Sequence, residues 1–281
     1  MGRILISCPD RPGIVAAVSK FLYEQGANII HSDQHTSDPE GGTFFMRIEF
    51  QLSGIEEKEE EIKARFAPLG DSFNMEWRFA LASRTKRIAI FVSKEEHALL
   101  ELLWRKRSGD LTADIVMIIS NHSDLAGLAA AEGIPFYTIP VVKGEKAKAE
   151  EQQIALMAGK VDLVVLARYM QIVTSGFIQH YPNKIINIHH SFLPAFAGAN
   201  PYLQAYERGV KRIGATAHYV TEALDAGPII EQGVEPVNHR HGVEQLKRIG
   251  QYIERMVLAR AVIWHLEDRI LVYGNKTIVF T

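Results

Sequence analysis

Four short runs of apolar and β-branched residues, Arg87 to Val92, Asp114 to Ser120, Pro135 to Ile139 and Val161 to Leu166, constrain this chain more than any other feature. They lack the polar-apolar alternation of a strand with one face in water, so each reads as a strand buried on both faces. Helical segments at about 95 to 107, 123 to 132 and 145 to 158 separate them. Strands and helices in alternation predict a doubly wound, Rossmann-like α/β domain with a mostly parallel sheet. Ile185 to His189, Ile213 to Val220 and a run near Ile229 extend that sheet. A long helix is expected over Val243 to Leu266, followed by a terminal hairpin of Ile270 to Tyr273 and Thr277 to Phe280 around Gly274-Asn275.

Residues 1 to 82 follow another pattern. Arg3 to Ser7 reads as a strand, and Pro9-Asp10-Arg11-Pro12-Gly13 as a turn with Pro12 in the first turn of a helix. Ile14, Val15, Val18, Phe21 and Leu22 line one face of that helix, which stops at Gly26. A strand near Asn28 to Thr36 and a turn through Asp38-Pro39-Glu40-Gly41-Gly42 lead into a strand where Met46, Ile48, Phe50 and Leu52 alternate with Arg47, Glu49 and Gln51. That alternation predicts a hairpin with one wet face. A charged helix from about Glu56 to Phe66 and a strand around Phe73 to Phe79 complete a ferredoxin-like βαββαβ unit. The polar stretch Ala82-Ser83-Arg84-Thr85-Lys86 marks the boundary, giving domains at 1 to 82 and 83 to 281.

The 281 residues are 47% hydrophobic and 23% charged, with a formal net charge of -2. This balance gives no electrostatic reason to expect nucleic acid or a membrane as partner and favours small-molecule chemistry. Cys8 is the sole cysteine, which excludes an internal disulfide or a cysteine-based zinc cluster and fits a reducing compartment. No apolar run reaches the roughly 20 residues of a membrane span, and the start shows no secretion signal, so the cytoplasm is the expected location.

In an open α/β sheet the ligand crevice lies beyond the carboxyl ends of the strands. One such end reads Asn187-Ile188-His189-His190-Ser191, where alternation puts Asn187 and His189 on one face. Downstream, Leu224-Asp225-Ala226-Gly227-Pro228 presents a carboxylate on a turn. An amide donor, an imidazole and a carboxylate suit cleavage of an amide-like carbonyl: Asn187 donates to an oxyanion, His189 donates or shuttles a proton, and Asp225 orients or deprotonates water. The same groups serve equally as local backbone partners and a turn cap, and spacing alone leaves both readings open.

Asn187-Ile188-His189, Ser191, Leu193-Pro194 and Leu224-Asp225-Ala226-Gly227-Pro228 resemble the signature of the folate-dependent formyltransferases. Residues 87 to 281 are similar throughout to that family's hydrolytic branch, the formyltetrahydrofolate deformylases, and Ser7-Cys8-Pro9-Asp10-Arg11-Pro12-Gly13-Ile14-Val15 resembles the ACT domain that precedes it. The resemblance implies hydrolysis of 10-formyltetrahydrofolate to tetrahydrofolate and formate, balancing one-carbon folates for purine biosynthesis. It implies catalytic roles for Asn187, His189 and Asp225, and a pterin wrapped by Arg168, Tyr169, Met170, Gln171, Ile172 and Val173 with Val220, Thr221 and Leu224. Folate is then the substrate, and no cofactor is expected.

Two departures bear on the acceptor. Where ribonucleotide formyltransferases carry a glycine-rich phosphate loop, this chain has Ser93-Lys94-Glu95-Glu96-His97, a poor cradle for an anion. The missing glycines also argue against dinucleotide binding. His190 stands where the transferases usually have proline, and both a part in water positioning or proton transfer and a packing role fit it. A metal is not expected, because adjacent strand residues such as His189 and His190 face opposite ways and no ligand set sits at helical spacing. ACT domains bind amino acids or related effectors between copies, and Asp10, Arg11, Pro12 and Gly13 with Asn28 and Ile29 resemble the segments that do so. A homo-oligomer, dimer or tetramer, is expected with them. The competing readings are transfer of the formyl group to an amine acceptor, and a binding protein without turnover.

Overall fold

The computed structural model describes residues 1–38, 40–194 and 201–281, so Pro39 of the turn named above lies outside the described residues. The chain forms two compact units, one of Met1–Thr85 with Glu267–Tyr273 and Ile278–Thr281, the other of Lys86–Leu266 with Gly274–Thr277. The first unit thus takes up two carboxyl-terminal pieces that the sequence pattern assigns to the second.

In the first unit the order is β1 (Gly2–Pro9), α1 (Ile14–Glu24), β2 (Asn28–Thr36), β3 (Thr43–Gln51), α2 (Glu59–Ser72) and β4 (Glu76–Leu81). The strands make an antiparallel sheet in the order β2-β3-β1-β4. Helix α1 begins at Ile14 after Gly13, whose φ of 95° belongs to the left-handed region that glycine adopts without strain. Pro12 therefore precedes the helix instead of lying in its first turn. Ile4, Ile6, Met46, Ile48 and Phe50 from the sheet pack against Val18, Leu22, Ile62 and Phe66 from the helices. Each such side chain contributes about 1.5–3 kcal/mol by leaving water.

The expected wet face holds for β2, which is largely exposed, and fails for β3. Phe45 is buried, its ring 5.2 Å from that of Tyr273, and Arg47 is 2% exposed. The Arg47 guanidinium donates to the carbonyls of Asp268 at 2.9 Å and Glu267 at 3.1 Å. Alternation within β3 is real, but a segment more than two hundred positions downstream covers the polar face, as the 221-residue separation of Arg47 and Asp268 records. Glu59 of the charged helix is likewise buried and pairs with Lys63 at 2.6 Å and Arg84 at 2.9 Å.

The second unit runs β5 (Lys86–Val92), α3 (His97–Ser108), β6 (Ala113–Ser120), α4 (Ala126–Ala131), β7 (Phe136–Thr138), α5 (Lys146–Met157), β8 (Leu163–Leu166), α6 (Ser175–His180), β9 (Ile185–His189), α7 (Pro201–Arg208), β10 (Arg212–Tyr219), β11 (Ile229–Pro236) and α8 (Val243–Leu266). The chain ends with β12 (Ile270–Tyr273) and β13 (Lys276–Val279). The sheet order is β11-β10-β9-β8-β5-β6-β7. Pairing is parallel from β9 through β8 and β5 to β7, whereas β10 and β11 join antiparallel. The chain builds outward from β5 in one direction and resumes from β8 in the other, so the switch point lies between β5 and β8.

Helices α6 and α7 have no counterpart in the sequence pattern. Helix α6 has six residues, too few to show a 3.6-residue period, and its start is set by Thr174, whose Oγ1 accepts from the Phe177 amide. One core layer joins Ala89, Phe91, Val164 and Leu166 of the sheet to Ala149, Met157 and Phe177 of α5 and α6. On α8, Leu246, Ile253, Val257, Leu258 and Val262 are buried. These layers hold the carboxyl ends of β5, β8 and β9 around one opening.

Candidate active site

That opening is a cavity of about 850 Å³, within the range of small-molecule sites. Strand β9 supplies its chemistry: Ile186 and Ile188 point into the core, and the intervening alternation turns Asn187 and His189 to the cavity. Antiparallel β10 sets His218 directly across from Asn187. The Asn187 Nδ2 lies 3.2 Å from His218 Nε2, and His218 Nδ1 lies 3.0 Å from the Tyr219 carbonyl. Burial pushes the His218 pKa down, so the ring is neutral. A neutral ring satisfies both contacts by donating from Nδ1 to the carbonyl and accepting at Nε2 from the amide, which leaves the second N–H of Asn187 for a ligand.

Asp225 reaches the same point from the loop after β10. Its φ of 53° is left-handed, a conformation that aspartate visits more readily than most residues. Two positions on, a Cβ at Gly227 would come 1.9 Å from the Tyr219 carbonyl oxygen, so only glycine lets this turn lie against the end of β10. The carboxylate Oδ2 is 3.3 Å from His189 Nδ1 and Oδ1 is 3.7 Å from His218 Nε2. Hydrogen bonding from His189 holds the Asp225 carboxyl below its ordinary range despite the opposing effect of burial. On the far side of the imidazole, His189 Nε2 is buried and has no hydrogen-bond partner among the described residues.

His190 corrects one expectation. Strand β9 ends at His189, so the strict alternation ends there too, and the His190 ring stacks on His189 with centroids 5.1 Å apart. Burial and the nearby Arg168 cation press its pKa down from 6.5 to about 4. Among the described residues, no group of three or more histidine, cysteine, aspartate or glutamate side chains is placed to hold a metal ion.

All nine positions expected around a pterin line the cavity: Arg168, Tyr169, Met170, Gln171, Ile172, Val173, Val220, Thr221 and Leu224. They divide by burial. Met170, Ile172 and Leu224 are 55%, 60% and 62% exposed and offer apolar surface to a ligand. Tyr169 and Val173 are core residues, the tyrosine ring packing on Phe91 and its hydroxyl accepting from Gln153 at 3.0 Å.

No role was expected of four residues at or beside the cavity: Glu254, Tyr202, His97 and His218. Glu254 is 1% exposed, among the buried apolar positions of α8. A carboxylate at a core position of an amphipathic helix is the one feature of the sequence that could have marked it. Its partners are His97 Nε2 at 2.9 Å, Tyr202 Oη at 2.7 Å and Arg168 Nε at 3.4 Å. The loop after β5 is tied down as well, with Glu95 contacting Gln251 at 3.0 Å and Lys247 at 3.3 Å.

The effector segments of the first unit do not meet within one copy. The Asp10–Gly13 turn follows the carboxyl end of β1, whereas Asn28 and Ile29 open β2 beside Gln51 and Phe50 at the other end of the sheet. Asp10 accepts from Thr36 Oγ1 at 2.8 Å, and the Arg11 guanidinium donates to the Ser72 carbonyl and lies 4.2 Å from the Phe73 ring centroid. Asn28 is exposed and Ile29 packs on the core.

Residues 86–262 match the formyl transferase family and residues 2–67 the ACT domain. The chain is 59% identical to the formyltetrahydrofolate deformylase of Bacillus subtilis, over 99% of this chain and 93% of the relative. The crystal structure of a formyltetrahydrofolate deformylase from Pseudomonas syringae pv. tomato superposes with a TM-score of 0.93 at 45% identity, covering 100% of this chain and 94% of that one. A glycinamide ribonucleotide transformylase from Symbiobacterium toebii shares only part of the molecule, 72% of this chain and 97% of its own, with a TM-score of 0.67 at 31% identity. Two families in tandem, in a full-length match that the transformylase does not share, place this chain in the formyltetrahydrofolate deformylase family.

Proposed function

We infer that this chain hydrolyses 10-formyltetrahydrofolate to tetrahydrofolate and formate. The observation that carries the reading is the meeting of Asn187, His189 and Asp225 at one end of a largely apolar cavity in a member of the deformylase family. The folate lies along Met170, Ile172, Val220, Thr221 and Leu224, with Gln171 beside them and Arg168 set in the cavity wall. Asp225, ionised, accepts a hydrogen bond from water and takes its proton as the water oxygen bonds to the formyl carbon. The Asn187 amide donates to the oxyanion of the tetrahedral adduct, and so does His189 Nε2, which requires His189 to be the imidazolium because its Nδ1–H is given to Asp225. Collapse breaks the bond from carbon to N10, the nitrogen takes up a proton, and formate leaves. These steps use side chains alone, and folate enters as substrate with no added cofactor.

Water is the acceptor because the loop after β5 offers no anion cradle: Glu95 faces the cavity and pairs with Lys247. The released formate and tetrahydrofolate serve purine biosynthesis in the cytoplasm. No helix among the described residues is long and apolar enough to cross a membrane. The ACT domain receives a small effector, an amino acid, between copies of a homo-oligomer, since its two resembling segments lie apart within one copy. Incubating the protein with 10-formyltetrahydrofolate and no amine tests the reading: equimolar tetrahydrofolate and formate are expected, and silence relieved only by an amine acceptor would make the chain a transferase.

A further inference from the structure

Glu254 is the most deeply buried ionisable group beside the cavity, and the steps above do not use it. A buried carboxylate is strongly disfavoured unless its oxygens are paired. Here three separate elements supply the pairs: His97 at the start of α3, Arg168 after β8 and Tyr202 on α7. Helix α8 is shaped for one of them. A Cβ at Gly250 would come 2.0 Å from the Tyr202 hydroxyl, so this position gives up helix propensity to admit the phenol one turn below Glu254.

The anchored groups converge on His190. The Tyr202 ring lies 6.3 Å from the His190 ring, which is stacked in turn on His189. Arg168 holds its side chain in the cavity wall from a left-handed backbone, φ 65°, a conformation that persists where surroundings enforce it. Its Nε and Nη1 are both buried without a hydrogen-bond partner among the described residues, and Nε faces the Glu254 carboxylate at 3.4 Å as an ion pair.

Resting on the hydrolase reading, we propose that Glu254 is a positioning residue: by anchoring Tyr202 and Arg168 it holds His190 beside His189 as the relay that carries the water-derived proton to N10. Neutral His190 takes the proton from protonated Asp225 and becomes an imidazolium. It releases that proton to N10 as the carbon-nitrogen bond breaks, and both residues return to their starting states. The lowered pKa of His190 suits this duty, since the ring is unprotonated at neutral pH and, once charged, gives its proton up readily to a weakly basic nitrogen.

The charged and titratable groups acting on His190 are Arg168 after β8, Glu254 on α8, His189 on β9 and Asp225 on the following loop, with Tyr202 on α7. Arg168 and His189 lower its pKa, and Glu254 and Asp225 raise it. The two ends of one ion pair therefore predict opposite outcomes. With 10-formyltetrahydrofolate as substrate, Arg168→Met moves the acid limb of kcat/KM to higher pH, and Glu254→Gln moves it to lower pH. Glu254→Gln also lowers kcat about tenfold with little change in KM, less than the roughly hundredfold or more of removing a general acid-base group itself, as suits a residue that acts through another. Gly250→Ala, which displaces Tyr202, reproduces the loss in kcat and stands in if Glu254→Gln does not fold. In a His190→Gln background both pH shifts vanish. Folded variants whose limbs stay in place, or move in the same direction, overturn the proposal while wild-type hydrolysis leaves the hydrolase reading intact; absence of wild-type hydrolysis removes both.

Discussion

Two buried polar clusters, one in each unit, use similar side chains for different ends. In the first unit Asp268 is 2% exposed and is met by Arg3 at 3.4 Å and Arg78 at 3.3 Å, while Arg47 takes its backbone carbonyl. Glu49 joins it, 3.5 Å from Arg3 and 2.9 Å from Arg47, and the cluster seals a carboxyl-terminal segment onto a sheet face with Arg3 Nε left without a hydrogen bond among the described residues. In the second unit Asp225, His189, Asn187 and His218 pair only in part: His189 Nε2 has no partner among the described residues and the carboxylate is 24% exposed. A polar cluster whose carboxylate is shut away from solvent rigidifies a fold, whereas one with an accessible carboxylate beside a cavity can act on a ligand.

Substitutions in the two clusters separate these duties. The largest effect falls on Asp225→Asn, which preserves shape and removes the base: kcat falls about a thousandfold, within the usual range for general acid-base groups, while folate binding measured by fluorescence titration is largely retained. Near wild-type turnover would take Asp225 out of the mechanism. Arg47→Met acts oppositely. It strips the buried carbonyls of their donor and costs about 3 kcal/mol of stability in a denaturant melt, as breaking a buried ionic cluster does. The kcat of the remaining folded protein is expected to be unchanged, and a matching loss of kcat would erase the distinction between the clusters.

Smaller effects sharpen the cavity side. Leu224→Ala removes apolar surface from the folate wall and raises KM about fivefold, roughly 1 kcal/mol, with kcat unaltered. Acid sensitivity is the subtlest expectation. His190 and His218 both have folded pKa values below their ordinary 6.5. The unfolded chain therefore binds protons first as the pH falls, so the stability these rings contribute is complete above pH 6.5 and is lost progressively below it. Each ring contributes a slope of at most about 1.4 kcal/mol per pH unit. His218→Gln should flatten the profile of melting temperature between about pH 7 and about pH 5, the range in which an ordinary histidine takes up its proton.

The regions differ also in how openly the sequence displays them. Asn187, His189 and Asp225 were legible because each obeys a local rule: period-two alternation for the strand pair, turn-forming neighbours for the aspartate. The four apolar runs announced the sheet by their lack of alternation, although β7 at the sheet edge, Phe136–Thr138, is not buried on both faces as expected, and α8 spans the residues expected of it, Val243–Leu266. What escaped notice depends on distance along the chain. His97 and Glu254 are 157 residues apart, and nothing local to either shows that they touch. Arg47 alternates as a solvent-facing residue should, yet Asp268 and Glu267 cover it. Tyr202 lacked a signal for the same reason, since its place is explained by Gly250 on a helix elsewhere in the chain.

The transfer of the formyl group to water is tested most directly by running the reaction in water enriched in heavy oxygen, with no amine present, and analysing formate by mass spectrometry. One labelled oxygen per formate, with an equal amount of tetrahydrofolate and loss of both in Asp225→Asn, is the expected result. Formate without label, or tetrahydrofolate formed only when an amine is supplied, would contradict it.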